Sequence, residues 1–310
     1  MVLEKYMAVF NDYLTVHKYS KRTIKSYDLD VRQFMNFITK HYPRINNIQK
    51  ITKDILFDYQ NYLMNYRSRN GRPLSNISQR CKLHAIKTFF RAMIKQDLIL
   101  VNPTTSIRLP KEEERIRRDI PTQQEVLDIL KSIKLNSPIN IRNRAIAEVL
   151  YSCGIRTTEL CNLMLEDVNF KEQTITIVKG KCGKSRVVPI GQYAAHYIQL
   201  YLEKSRKHML KGKADPGNLF LSRKGIPFNR DTINLGPIRT ILRNNKTDKH
   251  LSCYTFRHAA ASHLLQNKVD IAYIAQLLGH VSLRTTQRYT KVEISDLKKM
   301  HAICHPRERE

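Results

Sequence analysis

Apolar residues recur at three- and four-residue steps over most of the first hundred positions. Between residues 20 and 42, Ile24, Tyr27, Val31, Phe34, Phe37 and Ile38 form one stripe behind Ser20, a residue suited to an N-cap. That spacing predicts an amphipathic helix. The stretch 75–99 repeats the plan, with Ile77, Cys81, His84 or Ala85, Thr88 and Phe89 as the expected inward stripe. Its other face carries Arg80, Lys87, Arg91 and Lys95. Between the two, Gly71 to Leu74 reads as a turn, and after the second comes a charged run punctuated by Pro103, Pro110 and Pro121. We expect a helical domain over 1–107, a linker over 108–120 and a second domain over 121–310.

In the second domain the pattern is mixed. Residues 122–133 and 140–154 have helical periodicity, whereas 173–178 and 185–190 alternate with period two around the loop KGKCGK. A small β-hairpin inside a helical domain is expected. The stretches 192–210, 232–245, 255–268 and 270–280 read again as helices, and no repeat of about 20–50 residues points to a solenoid. The predicted fold class is therefore mainly α with a small β-sheet in the C-terminal domain.

A hydrophobic content of 42% suits a chain with a packed core and excludes disorder as its default. No run of about 18 apolar residues occurs, and the N-terminal stretch is interrupted by charge. An intracellular, soluble protein without a membrane partner is expected. The six cysteines form no CxxC pair, so neither a zinc site nor a disulfide framework is signalled, and no cofactor or metal is expected. The charge changes the picture most: 54 basic against 27 acidic residues give +27, a field that recruits polyanions. The excess covers both halves of the chain, with 18 basic and 7 acidic residues in 1–107. Double-stranded DNA is the expected partner.

Four separated stretches place cations or phenols at turns and helix starts. In YSCGIRTTEL, Gly154 can close one helix in the left-handed conformation and leave Arg156 ahead of the next, where Glu159 can hold its guanidinium. Lys181 projects from the hairpin tip between Gly180 and Gly183. Tyr254 and Arg257, three apart at the start of a helix, can approach one phosphate. His258 and His263 read as packing or surface groups rather than a metal pair. In LLGHVSLRTTQRYTKV, Gly279 and His280 end a helix, Ser282 caps another, and Tyr289 follows after two turns between basic neighbours.

The strings GIRTTEL, GKCGKSRVVP, YTFRHAAASHLL and LGHVSLRTTQRYTKV, in this order, resemble those of the tyrosine recombinases, or phage integrase family, over nearly the whole chain. The tail LKKMHAICHPR is similar to that of the short Xer-type members. The resemblance implies a two-domain, C-shaped DNA clamp: a helical, SAM-like core-binding domain and a catalytic domain. It implies that Tyr289 attacks the scissile phosphate to form a 3′-phosphotyrosine, that Arg156 and Arg257 clamp its non-bridging oxygens, and that Lys181 protonates the leaving 5′-oxygen. His280 then hydrogen-bonds the phosphate, and Glu159 supports Arg156. Tyr254 stands where the family usually has histidine, and a phenol with a reference pKa of about 10 is a weak base near neutrality; His250 is a nearby substitute.

Lys21, Arg22, Lys25, Arg80, Lys87 and Arg91 are the expected contacts of the N-terminal helices to phosphates. In similar proteins a C-terminal helix, here with Ile294, Leu297, Met300 and Ile303, docks on a neighbouring protomer; the alternative is packing on its own domain. The implied assembly is a homotetramer on two recombination sites, or a heterotetramer with a related recombinase, with an accessory activator protein as a further partner, acting in the cytoplasm at the nucleoid. A catalytically idle DNA-binding relative and a type IB topoisomerase are the competing readings.

Overall fold

The computed structural model describes residues 4–68, 70–111, 120–178, 185–244, 252–279 and 294–308. Two compact units, residues 1–116 and 117–310, divide the chain inside the expected linker.

The first unit contains α1 (Lys5–Val16), α2 (Lys21–His41), α3 (Lys53–Asn65) and α4 (Asn76–Lys95). Ser20 caps α2 by accepting a hydrogen bond from the Thr23 N–H at 3.1 Å, and Ser75 caps α4. The helices close on an aromatic core in which Phe10, Phe34, Tyr59, Phe89 and Phe90 are buried, with Phe10 edge-on to Phe89 and Phe34 edge-on to Tyr59. Truncating such a ring costs about 3–5 kcal/mol, so these five side chains carry much of the unit's stability. On α4 the buried stripe is Leu83, Ala85, Ile86, Phe89, Phe90, Ala92 and Met93. Of the expected inward positions, Ala85, Thr88 and Phe89 are buried, whereas Ile77, Cys81 and His84 are exposed. The bulkier Leu83, Ile86, Phe90 and Met93 also enter the core, and those three exposed positions all lie in the first half of the helix.

The start of the expected linker belongs to this unit. Arg80 donates to the Pro110 carbonyl at 2.7 Å, Lys87 to that of Ile107 at 2.9 Å, and Gln60 to that of Arg108 at 2.9 Å.

The second unit contains α5 (Gln123–Ser132), α6 (Pro138–Cys153), α7 (Thr157–Asn162), strands β1 (Val168–Asn169), β2 (Thr174–Ile177) and β3 (Arg186–Pro189), then α8 (Gln192–Tyr201), α9 (Lys207–Leu210), α10 (Arg230–Ile233), α11 (Arg239–Asn244), α12 (Cys253–Gln266), α13 (Ile271–Leu278) and α14 (Ile294–Cys304). The strands form one antiparallel sheet in the order β1, β2, β3, with Ile175 opposite Val188 and Ile177 opposite Arg186. Wide π turns at Leu202–Arg206 and Asn234–Ile238 join α8 to α9 and α10 to α11. In the second of these, Pro237 lacks the N–H of a regular turn, which accounts for the widening.

Helix α6 is the pillar of this unit, buried at every residue from Ile141 to Cys153. Its polar side chains are therefore bonded inside: Arg144 pairs with Glu148 at 2.8 Å, and Ser152 accepts the Gly191 N–H at 2.9 Å. The C-terminal segment is seated on this pillar. His301 lies 2.8 Å from the Ser152 carbonyl, His305 3.1 Å from that of Tyr151, and Arg307 pairs with Glu148 at 3.1 Å. His301, His305 and Arg307 of this segment thus pack on their own domain. Ile303, on the expected docking stripe, is 61% exposed. Among the described residues no helix is long and apolar enough to cross a membrane.

Candidate active site

Two left-handed glycines bring the site together. Gly154 ends α6 at φ 57°, and a Cβ there would lie 2.8 Å from Leu278 Cδ2. Gly279 ends α13 at φ 61°, and a Cβ there would lie 2.9 Å from the Arg186 guanidinium carbon. Each position needs glycine for its conformation and for close approach.

The carbonyls at a helix C-terminus have no partner within the helix and carry partial negative charge. At the end of α13, three consecutive carbonyls each receive one arginine. Arg186 Nε donates to Leu277 O at 3.2 Å, Arg257 to Leu278 O at 2.7 Å, and Arg156 to Gly279 O at 2.7 Å. Arg257 also donates to Gly154 O at 2.6 Å, so it grips the ends of α6 and α13 together.

Glu159, in the first turn of α7, is the carboxylate of this cluster. It accepts the Arg156 backbone N–H at 2.8 Å and the Arg156 guanidinium at 2.8 Å. It also takes a two-pronged bond from Arg186 at 2.9 and 2.8 Å. Burial alone would raise its pKa, but the hydrogen bonds from Arg186 and Arg156 outweigh it and hold the carboxyl down to about 2. Burial, with Arg156 close by, pushes the Arg257 guanidinium down to about 10, which leaves it charged at neutral pH. Two of the three guanidinium groups share one carboxylate and the third, Arg257, bonds only backbone carbonyls, so the cluster keeps an excess of positive charge suited to an anion.

Of the residues singled out in the sequence, Arg156, Glu159 and Arg257 meet here. Tyr254, one turn before Arg257, is 62% exposed and packs edge-on against His258 with ring centroids 4.3 Å apart. Its phenol is near enough to act electrostatically on Arg257. Lys181, His280 and Tyr289, with His250, lie outside the described residues, although Gly279, bonded to Arg156, directly precedes His280 in the chain. His263 is structural: it lies 2.9 Å from the Tyr151 hydroxyl and 3.0 Å from the Pro121 carbonyl.

Arg186 was not singled out. On β3, Val188 is buried and Val187 exposed, so residue 186 shares the inward phase of the alternation, a phase that two adjacent valines hide in the sequence. A cation in an inward register requires a buried partner.

In the first unit, Lys21, Arg22, Lys25 and Arg91 are exposed, whereas Arg80 and Lys87 are half-buried on the carbonyls described above. Arg22 and Arg80 still line one groove between α2 and α4, with Tyr27 and His84.

Residues 121–295 match the model of the Phage integrase family, and residues 7–100 match that of the Phage integrase, N-terminal SAM-like domain. The chain is 32% identical over 306 residues to Tyrosine recombinase XerC 2 of Ralstonia nicotianae, spanning 99% of this chain and 87% of that protein. It is 30% identical over 288 residues to Tyrosine recombinase XerD of Halalkalibacterium halodurans, spanning 93% of each. Among solved structures, a lambda integrase tetramer bound to a Holliday junction is similar with a TM-score of 0.65 at 19% identity, over 94% of this chain and 80% of that one. At that identity the likeness is one of fold.

Proposed function

Because the chain belongs to the phage integrase family and is a tyrosine recombinase of the Xer type, we propose that its arginine cluster holds a DNA phosphate while Tyr289 attacks the phosphorus. Phosphodiesters resist attack because the nucleophile and the phosphate repel one another and the leaving alkoxide is basic. Arg156 and Arg257 answer the first difficulty by pairing the non-bridging oxygens with charges that persist at neutral pH. Lys181 answers the second by protonating the departing 5′-oxygen. His280 hydrogen-bonds the phosphate, and Tyr254 takes the place of a histidine beside the nucleophile. The P–O bond to the 5′-oxygen breaks as the bond to the Tyr289 oxygen forms. The 3′-phosphotyrosine conserves the bond energy, so a 5′-hydroxyl of another strand reverses the step without ATP.

In this reading, residues 1–107 form the core-binding domain and 121–310 the catalytic domain, which enclose duplex DNA. Lys21, Arg22, Lys25 and Arg91 contact phosphates, and the bonds of Arg80 and Lys87 give these two a share in shaping the basic face. Exchange takes four subunits on two sites, all copies of this chain or two related recombinases, and an accessory protein can activate them. The biological task is chromosome-dimer resolution or transfer of a mobile element, carried out at the nucleoid.

The observation that carries this reading is the convergence of Arg156 and Arg257, far apart in sequence, on adjacent carbonyls at the end of the helix that leads to His280. Incubation with a library of nicked duplexes of random sequence, followed by denaturing electrophoresis, tests it. A covalent protein–DNA adduct is expected from the wild type and none from Tyr289→Phe. An adduct that survives that substitution, or no adduct at all, refutes the assignment.

A further inference from the structure

Arg186 bonds the protein through all three of its guanidinium nitrogens. Nε donates to Leu277 O at 3.2 Å, and the two terminal nitrogens donate to the two oxygens of Glu159 at 2.9 and 2.8 Å. Its guanidinium also lies against Gly279, where a Cβ would come within 2.9 Å of it. Arg156 differs: its bonds to Glu159 and Gly279 use two of the five N–H groups a guanidinium has, against three for Arg186, and its side chain is 24% exposed against 14%. One arginine is therefore committed to the scaffold, and the other keeps donors for a ligand.

We infer that Arg186 is a positioning residue of the recombination site: it occupies Glu159 so that Arg156 stays turned to the phosphate, and it fixes the end of α13 from which the chain enters His280. This rests on the function proposed above. A carboxylate facing a single arginine favours a fork-to-fork pair, in which both terminal nitrogens of that arginine are taken. In this site Glu159 Oε2 is filled by the Arg156 backbone N–H and by Arg186, so the Arg156 guanidinium reaches Oε1 alone. Without Arg186, Oε2 opens to the second nitrogen of Arg156, which would turn away from Gly279 and from the phosphate. The same loss frees Leu277 O and the αL turn at Gly279. A lysine is a poor replacement, because a single ammonium cannot span both carboxylate oxygens and a carbonyl in one plane.

The test uses the full chain and a nicked suicide duplex of the sequence recovered from the random library. Single-turnover cleavage by Arg186→Met is expected to slow by about 10- to 100-fold, the order of a misplacement of about 1 Å. The dissociation constant for the intact duplex is expected to stay within about threefold, because Arg186 makes no contact with DNA in this scheme. Arg186→Lys, which keeps the charge and most of the packing, serves if the methionine variant does not fold, and is expected to recover less than the full rate. The double variant Arg186→Met with Glu159→Gln is expected to be no slower than the slower single variant, since the two residues act as one unit.

Additive effects of the two substitutions, or wild-type cleavage rates in both Arg186 variants, overturn the inference. So does full recovery on a duplex with sulfur in place of the bridging 5′-oxygen, whose thiolate leaves without a proton, since the residue would then act on the proton donor instead. These outcomes leave the recombinase reading intact, whereas absence of any adduct from the wild type overturns that reading and this inference with it.

Discussion

Lowering the pH from 7 to 5 is expected to loosen the seat of the C-terminal segment, and His301 is the group that reports it. Its side chain is buried against α6, 2.8 Å from the Ser152 carbonyl, with its ring stacked on His305 at 4.6 Å. Burial pushes its pKa down to about 4 from an ordinary value of 6.5. Between these two values the unfolded chain carries a proton that the folded chain refuses, so stability falls as the pH falls through that window. Taken from pH 7 to pH 5, the two pKa values give a loss of about 2 kcal/mol from this group alone. His305 shifts in the same direction, first through burial and then through His301, with His263 and Arg307 also acting on it. His301→Gln keeps an N–H donor for the Ser152 carbonyl and removes the titration. Urea unfolding of the catalytic unit, followed by circular dichroism at the two pH values, isolates the term as a difference between wild type and variant. A variant that loses as much stability as the wild type between pH 7 and 5 refutes the account.

Glu148, fully buried between Arg144 and Arg307, is expected to cost about 3–5 kcal/mol when replaced by Gln, because two buried guanidinium groups lose their counter-charge; urea unfolding measures this, and limited proteolysis is expected to cut the C-terminal segment first. Gly279→Ala meets both a φ of 61° and the Arg186 guanidinium, so about 1–2 kcal/mol of stability is expected to be lost. That lowers Tm by about 2–4 °C per kcal/mol for a domain of this size, read by calorimetry. Tyr254→His, at a position 62% exposed, is expected to leave Tm within about 1 °C while raising single-turnover cleavage about tenfold by supplying a base that titrates near neutrality. An unchanged rate would mean that the phenol already meets the need at that place.

The elements were legible where periodicity is local. The stripe of α2, the cap at Ser20, and the hairpin built from β2 and β3 all follow from short-range pattern. The two-residue strand β1 offered no pattern to read. Which apolar positions of α4 enter the core was not legible because two neighbouring stripes both contain apolar residues, and their burial depends on what α1 and α2 present. Arg80 and Lys87 looked like free cations for the same reason: the carbonyls they hold come from residues 107–110, which bear no mark of their destination.

The site was legible in proportion to how much of each bond is local. Arg156 and Glu159 lie three residues apart, and a left-handed glycine beside them announces the turn. Arg257 stood out by its place at a helix start, yet its acceptors, Gly154 O and Leu278 O, belong to two other helices. Arg186 was missed because its partners are all distant. What unites the three arginines is a helix terminus rather than a motif: backbone carbonyls at the end of α13 offer acceptors at adjacent positions, each of which orients a guanidinium without neutralising it. A carboxylate in each of those places would hold the arginines as firmly and cancel the charge that an incoming phosphate needs. Positioning by carbonyl dipoles, with Glu159 as the one carboxylate, bonded to Arg156 and Arg186, among the described residues, keeps the cluster ordered and still cationic.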